Sequence, residues 1–157
     1  MVEMSVTESS VTFRTFRKGD YSEFKKMCMA LYREDPVDET ITERKISRTI
    51  RELRQNRSKG SIIIFEVEGV LVGYSILIFY WSNEFGGNVL HIDELYVKPR
   101  YRQRGVATMF FQHVLKEFKD EIVGLQLEVT PSNTTAMGHY RKLGFKKTRN
   151  IHLTRSG

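Results

Sequence analysis

The sequence contains one cysteine, Cys28, so no disulfide can form within the chain. Apolar and aromatic neighbours on both sides predict a buried thiol with no catalytic role. Histidines are also few, lie far apart and lack cysteine partners at metal-ligand spacing. We therefore predict that the protein binds no metal. The histidines are His91, His113, His139 and His152.

Long apolar runs are missing as well, and no stretch approaches the ~20 residues that a membrane-spanning helix needs. Residues 1–10 are polar and lack the basic segment and apolar run of a secretory signal. We therefore expect a cytoplasmic protein with no membrane partner. A length of 157 residues, 40% of them hydrophobic, predicts one domain over residues 1–157, with residues 1–10 as a flexible N-terminus.

The net charge of +6 raises the question of a nucleic-acid partner. Tyr101 is the one aromatic residue interleaved with the basic clusters, whereas stacking surfaces for bases need several. We therefore predict no nucleic-acid partner. A phosphate-bearing cofactor explains the first cluster better, and a charged, solvated edge strand explains the second. The clusters are Arg100, Arg102 and Arg104, then Lys146, Lys147 and Arg149.

Apolar periodicity and turn residues predict a mixed α/β order of elements. The capping signals are Asp20 before the first helix and a capping box of Thr40 and Glu43 before the second. The predicted strands are Val11–Phe16, Ser61–Val67, Val70–Tyr80, a segment ending at Val97, Leu125–Val129 and one within Phe145–Leu153. The predicted helices run to about Tyr32, to about Gln55, from Val106 to Phe118 and over Asn133–Gly144.

A basic segment, Arg102–Ala107, stands between a predicted strand and a predicted helix. Gly105 lets backbone amides approach an anion, and the helix N-terminus adds unpaired N–H groups with partial positive charge. This junction is a candidate phosphate cradle. The alternative is an ordinary turn whose arginines are simply solvated.

The strand before this junction changes its apolar period. Leu90 and Ile92 are apolar, and so are Leu95 and Val97, so the alternation slips by one residue. Such a slip predicts a β-bulge, which leaves backbone amides unpaired between Asp93 and Leu95.

Downstream, the predicted helix Asn133–Gly144 is a second segment that favours a phosphate site at Arg102–Ala107 over an ordinary turn. Ala136, Tyr140 and Leu143 share one helical face, and Gly144 suits a C-terminal cap. Asn133 suits the N-terminal cap.

Together these segments resemble the GNAT superfamily of N-acetyltransferases, as a small single-domain member. The cofactor motif falls on Arg102, Gly105 and Ala107, and the resemblance covers roughly residues 61–150. The later motif falls on Asn133, Ala136, Tyr140, Lys142, Leu143, Gly144 and Phe145.

This resemblance implies the GNAT fold, an α/β arrangement with a mixed, mostly antiparallel central sheet that is splayed at the cofactor site and flanked by about four helices. It also implies acetyl-CoA as co-substrate. The residues expected to contact acetyl-CoA are Leu95, Tyr96, Val97, Arg102, Gln103, Arg104, Gly105, Val106, Ala107, Thr108, Asn133 and Tyr140.

Acetyl transfer by direct attack on the thioester needs a base, because a primary amine with a pKa near 10 is mostly protonated at pH 7. Asp93 and Glu94 lie at the bulge, and we favour Glu94, acting through water. Both carboxylates could instead be a solvated pair on a strand surface. Amides near Leu95–Val97 could stabilise the charge on the acetyl oxygen. Tyr140 resembles the family's general acid, although a lone tyrosine here would also suit the core.

The acetyl acceptor is suggested by the acidic loop Glu34–Glu39 and by Glu84, which would attract a small cationic amine such as a polyamine or an aminoglycoside. The same carboxylates could instead serve the second helix and solubility. Two alternatives remain, a protein or peptide N-acetyltransferase and a non-catalytic acyl-CoA sensor. The edge predicted at Phe145–Leu153 leaves a homodimer open.

Overall fold

The computed structural model describes residues 11–157, and the flexible segment predicted at residues 1–10 lies outside the described residues. The strands are β1 (Val11–Thr15), β2 (Gly60–Val67), β3 (Val70–Ser82), β4 (Gly87–Val97) and β5 (Gly124–Leu127). The helices are α1 (Tyr21–Glu34), α2 (Glu43–Gln55), α3 (Val106–Glu117) and α4 (Thr134–Lys142). Short 3-10 turns at Lys18–Asp20 and Pro99–Tyr101 lead into α1 and into the loop before α3.

The strands form a sheet of order β1-β2-β3-β4-β5. Neighbours are antiparallel except β4 and β5, which are parallel. The β4–β5 ladder stops where Ile92 lies opposite Leu127, whereas β4 continues to Val97. The sheet is therefore open between these two strands, and the predicted mixed sheet with four helices is confirmed for the described residues.

The two faces of the sheet carry different helices because side chains alternate along each strand. Ile64 and Tyr74 are fully buried on the face that α1 and α2 cover. Phe65, one position after Ile64, and Leu77, three positions after Tyr74, are fully buried on the face of α3 and α4. Functional side chains on the sheet therefore lie either toward α1 and α2 or toward α3 and α4.

Both predicted capping residues need correction. Thr42, and not Thr40, caps α2, because its Oγ accepts from the Lys45 N–H at 3.2 Å. Asp20 precedes α1, as predicted, but its carboxylate turns away from the helix toward Arg14. A partner on β1 thus outcompetes the local cap.

The strand predicted within Phe145–Leu153 is wrong, since no part of this segment pairs with the sheet. Ile151 and Leu153 are 87% and 94% exposed. Alternation shows which side chains a strand would bury, but a strand also needs a neighbour to complete its hydrogen bonds. The homodimer stays a prediction, without the edge strand that suggested it.

Asp20 stabilises the fold, and we predict how its replacement changes the free energy of unfolding. Its carboxylate accepts two hydrogen bonds from the Arg14 guanidinium, at 2.8 and 2.9 Å, and one from the Arg17 N–H at 2.7 Å. We expect Asp20→Asn to lower the free energy of unfolding by about 2 kcal/mol at pH 7, because a buried charged partner is lost. Urea denaturation measures this.

The pKa of Asp20 predicts how the free energy of unfolding depends on pH. Burial raises the pKa of this carboxyl, but the hydrogen bonds from Arg14 and Arg17 outweigh burial and hold the pKa below its ordinary value. The stabilisation is therefore present above the unfolded-state pKa and is lost as the pH falls through the lower folded-state pKa. The exposed Asp38→Asn is the matched control, and equal stability of both variants at pH 7 would contradict the assignment.

Candidate active site

The β4 strand carries the predicted bulge. Glu94 lies opposite Ile76 and Ile92 opposite the next residue, Leu77, so Asp93 has no partner on β3. The bulge is confirmed, and it falls directly after the last residue that pairs with β5. Beyond it, no described strand covers the β5 side of β4. Backbone amides of Leu95–Val97 on that side are available to a ligand.

The bulge turns both acidic residues toward α1. Ile92 packs in the α3 core and Tyr96 in the α1 core, so the alternation changes sides between them. His91 Nε2 lies 3.9 Å from Asp93 Oδ1. Burial is the main cause of the raised pKa values of Glu94 and of Tyr32, which lies on α1, and the negative charge of Asp93 adds to both. The two carboxylates therefore lie close together on one face.

Glu94 is the more constrained of the pair. Tyr74 Oη donates to Glu94 Oε1 at 2.6 Å, and Tyr32 Oη donates to Oε2 at 3.0 Å. Burial raises the pKa of Glu94, the two tyrosine hydrogen bonds partly oppose that rise, and the charge of Asp93 adds to it. Asp93, by contrast, has a side chain that is 51% exposed. Glu94 thus has the fixed position and the raised pKa that suit a general base.

Sequence reasoning missed both tyrosines. Tyr74 reads as a core residue of an apolar strand, and Tyr32 reads as part of the buried face of α1. The available signal was chemical, because a buried tyrosine hydroxyl needs a hydrogen-bond partner. Tyr74 is 0% exposed, so it required such a partner, and Glu94 provides one.

The segment before α3 has the backbone of an anion cradle. Gln103 and Gly105 have positive φ angles of 59° and 78°, and no side chain caps the helix. A Cβ placed on Gly105 would meet no protein atom within 4 Å, so space is open beside the first turn. Val106 is buried and anchors the helix, while Ala107 and Thr108 are partly exposed. Uncapped N–H groups beside open space fit a phosphate group.

The side chain of Arg102 is held by several protein groups. Its Nε donates to the Val97 carbonyl at 2.7 Å and its Nη2 to Glu34 Oε2 at 2.6 Å. The guanidinium also lies over the Tyr96 ring, 5.4 Å from the centroid. Arg104 is half-buried in the same loop. The sequence motif identified Arg102 but not these partners.

The sequence left two roles open for Tyr140 on α4, a core residue and a proton donor, and its surroundings suit both. Its ring packs edge-on against Phe111 and Phe145, within the α3 core. Its hydroxyl makes no hydrogen bond to the part of the chain that the structure describes, and its oxygen is not enclosed. Burial, and then the charge of Asp35, raise the pKa of Tyr140. The group is a protonated donor that lacks an acceptor within residues 11–157.

Asn133 caps α4, as predicted, since its Oδ1 accepts from the Ala136 N–H at 3.2 Å. It therefore fixes the start of the helix that carries Tyr140. A contact with a cofactor stays a prediction for Asn133.

The acidic loop is less available than its composition suggested. Glu34 bonds to Arg102, Asp35 accepts from Thr130, and Glu39 pairs with Lys45. These carboxylates hold parts of the molecule together. The acidic groups at the site itself are Asp93 and Glu94.

Over residues 11–157, no three metal-binding side chains come close enough to hold an ion. The prediction of no metal rests on the sequence argument. In the same range, none of the helices has both the length and the apolar character needed to cross a bilayer.

Comparisons with known proteins point to one family. A family model described as "Acetyltransferase (GNAT) family" matches residues 24–145. An N-alpha-acetyltransferase of Sulfurisphaera tokodaii is 31% identical over 99 residues, which cover 58% of this chain and 59% of the relative. The peptidyl-lysine N-acetyltransferase YjaB of Salmonella typhimurium is 38% identical over 58 residues, covering 37% of each chain. The chain thus aligns with only about a third to three fifths of these relatives' lengths.

Two solved structures share the fold. A Clostridium difficile 630 protein described as a possible acetyltransferase has a TM-score of 0.80 at 22% identity, covering 94% of this chain and 98% of that one. The AAC(6')-Iy complex with the bisubstrate analog CoA-S-monomethyl-acetylneamine has a TM-score of 0.75 at 20% identity, with the same coverage. The family model covers most of the chain. The chain belongs to the GNAT acetyltransferase family.

Proposed function

We propose that this protein transfers the acetyl group of acetyl-CoA to a primary amine by direct attack, and that the amine is a small cation of the polyamine or aminoglycoside type. The observation that carries this proposal is Glu94, a carboxylate held by two tyrosines at the point where β4 and β5 separate. A fixed base beside an open strand edge is what acetyl transfer to an amine requires.

The cradle before α3 fits the pyrophosphate of acetyl-CoA. The N–H groups from Gly105 to Thr108 would hold it, with Gln103 and Arg104 beside them and Asn133 near the α4 side. When bound, acetyl-CoA supplies an activated acetyl thioester with a thiol leaving group. The open edge Leu95–Val97 would take the part of the molecule next to the thioester.

Glu94 would remove the proton that keeps the amine from acting as a nucleophile. Its raised pKa brings it closer to the operating pH, where a base works best. Its two oxygens already accept from tyrosines, so the proton can pass through a water to a remaining lone pair. Asp93, more exposed and adjacent, would attract the cation.

Groups on β4 and α4 would carry out the remaining steps of the reaction. Backbone N–H groups of Leu95–Val97 would stabilise negative charge on the acetyl oxygen. Tyr140 would donate its hydroxyl proton to the departing thiolate, for which it has no competing acceptor among the described residues.

The local charge supports a cationic acceptor. Asp93 and Glu94 put two carboxylates at the bulge where the strands separate, and Glu128 directly follows the last residue of β5. Negative groups thus concentrate here, although the chain carries +6 overall. AAC(6')-Iy, a protein of similar fold, is described as an aminoglycoside N-acetyltransferase.

A protein or peptide amine is the second candidate. It is favoured by the names of two relatives, a peptidyl-lysine N-acetyltransferase and an N-alpha-acetyltransferase. These relatives align over only part of their lengths.

An acceptor panel tests the proposal. Purified protein with acetyl-CoA is assayed for thiol release against spermidine, neamine, free lysine and a lysine peptide. We expect the highest kcat/KM with spermidine or neamine, and a decrease as salt screens the site. A higher kcat/KM with the peptide would replace the small-cation acceptor. CoA binding without turnover of any amine would favour the acyl-CoA sensor.

A further inference from the structure

The end of α1 contacts both sides of the opening between β4 and β5. Glu34, the last residue of α1, bonds to Arg102 in the segment that follows β4. Asp35, the next residue, accepts from Thr130 Oγ1 at 2.8 and 2.9 Å, in the segment that follows β5. One turn earlier, Tyr32 bonds to Glu94 at the bulge. Three side chains from one short stretch therefore meet three different parts of the site.

We propose that Glu34 and Asp35 are positioning residues that set the width of the opening between β4 and β5, and that Arg102 acts as the anchor for Glu34 and not as a phosphate ligand. This inference rests on the proposed function, because it concerns the opening in which the thioester would lie.

The contacts of Arg102 support an anchoring role. Its Nε holds the last carbonyl of β4, its Nη2 holds α1, and its plane covers the Tyr96 ring. A side chain tied to three groups has a fixed direction, and that direction is toward α1. The backbone of the same loop takes positive φ at Gln103 and Gly105, so the loop needs an external support to keep this shape. The pair with Glu34 provides it.

Asp35 provides the corresponding support on the other side. The β4–β5 ladder ends at Leu127, so the chain between Leu127 and α4 has no strand neighbour to fix its distance from β4. The hydroxyl of Thr130 is bound by both carboxylate oxygens of Asp35. Because Glu34 and Asp35 are adjacent, the separation of the two segments follows from the backbone of α1.

The competing interpretation is that Glu34 holds Arg102 only until a phosphate replaces it. The two interpretations predict opposite signs for one substitution. If Glu34 competes with phosphate, Glu34→Gln frees Arg102 and tightens CoA binding. If Glu34 supports the loop, Glu34→Gln weakens CoA binding.

Calorimetric titration with CoA, without any acceptor, distinguishes them. We expect Glu34→Gln and Arg102→Gln each to raise the dissociation constant about threefold to fivefold, as for a partly exposed ion pair. The double variant should be no weaker than the weaker single variant, because both substitutions remove the same Glu34–Arg102 contact.

The matched control is Glu39→Gln, which breaks the ion pair of Glu39 with Lys45 in the same acidic loop. It should leave CoA affinity unchanged. Tighter binding by Glu34→Gln, or losses that add in the double variant, would overturn the anchoring role of Arg102. A wild-type protein that binds no CoA would instead overturn the proposed function, and this inference with it.

The Asp35 side is tested by Thr130→Val, which keeps the shape of the side chain and removes the hydroxyl. We expect kcat to fall about tenfold with the acceptor KM little changed, because the reacting groups are misaligned and binding is not lost. Asp35→Ala should have a similar effect, and the two together should not add. Additive losses, or an unchanged kcat in Thr130→Val, would contradict the role of Asp35.

Discussion

Replacing Glu94 with glutamine should lower kcat about a thousandfold with the best acceptor, because the site would lose its proposed base while keeping its shape. Glutamine can accept from one tyrosine through its amide oxygen and donate from its amide nitrogen to the hydroxyl oxygen of the other, so the fold around the bulge should persist. CoA affinity should stay within about twofold, since the cradle before α3 is untouched. Steady-state kinetics and CoA titration on one preparation measure both quantities.

The pH dependence of kcat provides an independent check on Glu94. The hydroxyls of Tyr74 and Tyr32 lower the pKa of this carboxyl against the larger effect of burial. Removing either hydroxyl should therefore raise the pKa further and move the acid limb of the kcat profile to higher pH. Tyr32→Phe is the better test, because Tyr32 is less buried than Tyr74.

Tyr80→Phe is the matched control for the tyrosines. Tyr80 also lies on β3, but its hydroxyl bonds to the neutral amide of Gln126. This variant should leave the acid limb in place. A Glu94→Gln enzyme with wild-type kcat and an unmoved acid limb would transfer the role of base to Asp93 or to solvent.

Local patterns predicted the parts of this site that short segments determine. The slip between Ile92 and Leu95 located the bulge, because side-chain alternation has a strict period of two. Gly105 located the start of α3, since its positive φ and the uncapped turn depend on a few neighbouring residues. Each of these signals lies within a window of about ten residues.

Contacts between distant segments were not predictable in the same way. Tyr32 and Glu94 are 62 positions apart, Glu34 and Arg102 are 68 apart, and Asp35 and Thr130 are 95 apart. In the sequence, the carboxylates of this loop look like a solvated acidic rim. In the fold these carboxylates bind other side chains of the protein, because the end of α1 lies across the opening of the sheet.

The prediction of a final strand was wrong for a related reason. Phe145 has the apolar character expected of a strand, but in the structure it packs against Phe111 and Tyr140. Alternation along Phe145–Leu153 contains no information on whether β5 offers it a free edge. Local period predicts a strand only where the tertiary structure supplies the second half of the ladder.

Replacing Tyr140 with phenylalanine should lower kcat about a hundredfold while leaving stability nearly unchanged. The aromatic ring packs against Phe111 and Phe145, and phenylalanine preserves that packing. The hydroxyl has no hydrogen-bond partner among the described residues, so its removal leaves no buried group unsatisfied. The expected loss is smaller than for Glu94, because a thiolate with a conjugate-acid pKa near 8.5 can also leave without a proton.

The reaction of Tyr140 also has a pH signature. Burial and the charge of Asp35 raise the pKa of Tyr140, so the phenol stays protonated across the neutral range. The wild-type enzyme should keep its kcat to a higher pH than a phenol of ordinary pKa would allow, and Tyr140→Phe should lose that alkaline limb. Tyr21→Phe, which removes an exposed hydroxyl bonded to Glu43 and Ser47, is the control. If Tyr140→Phe kept kcat within twofold of that control at every pH, the thiolate would take its proton from solvent, and the unpartnered hydroxyl would have only a packing role.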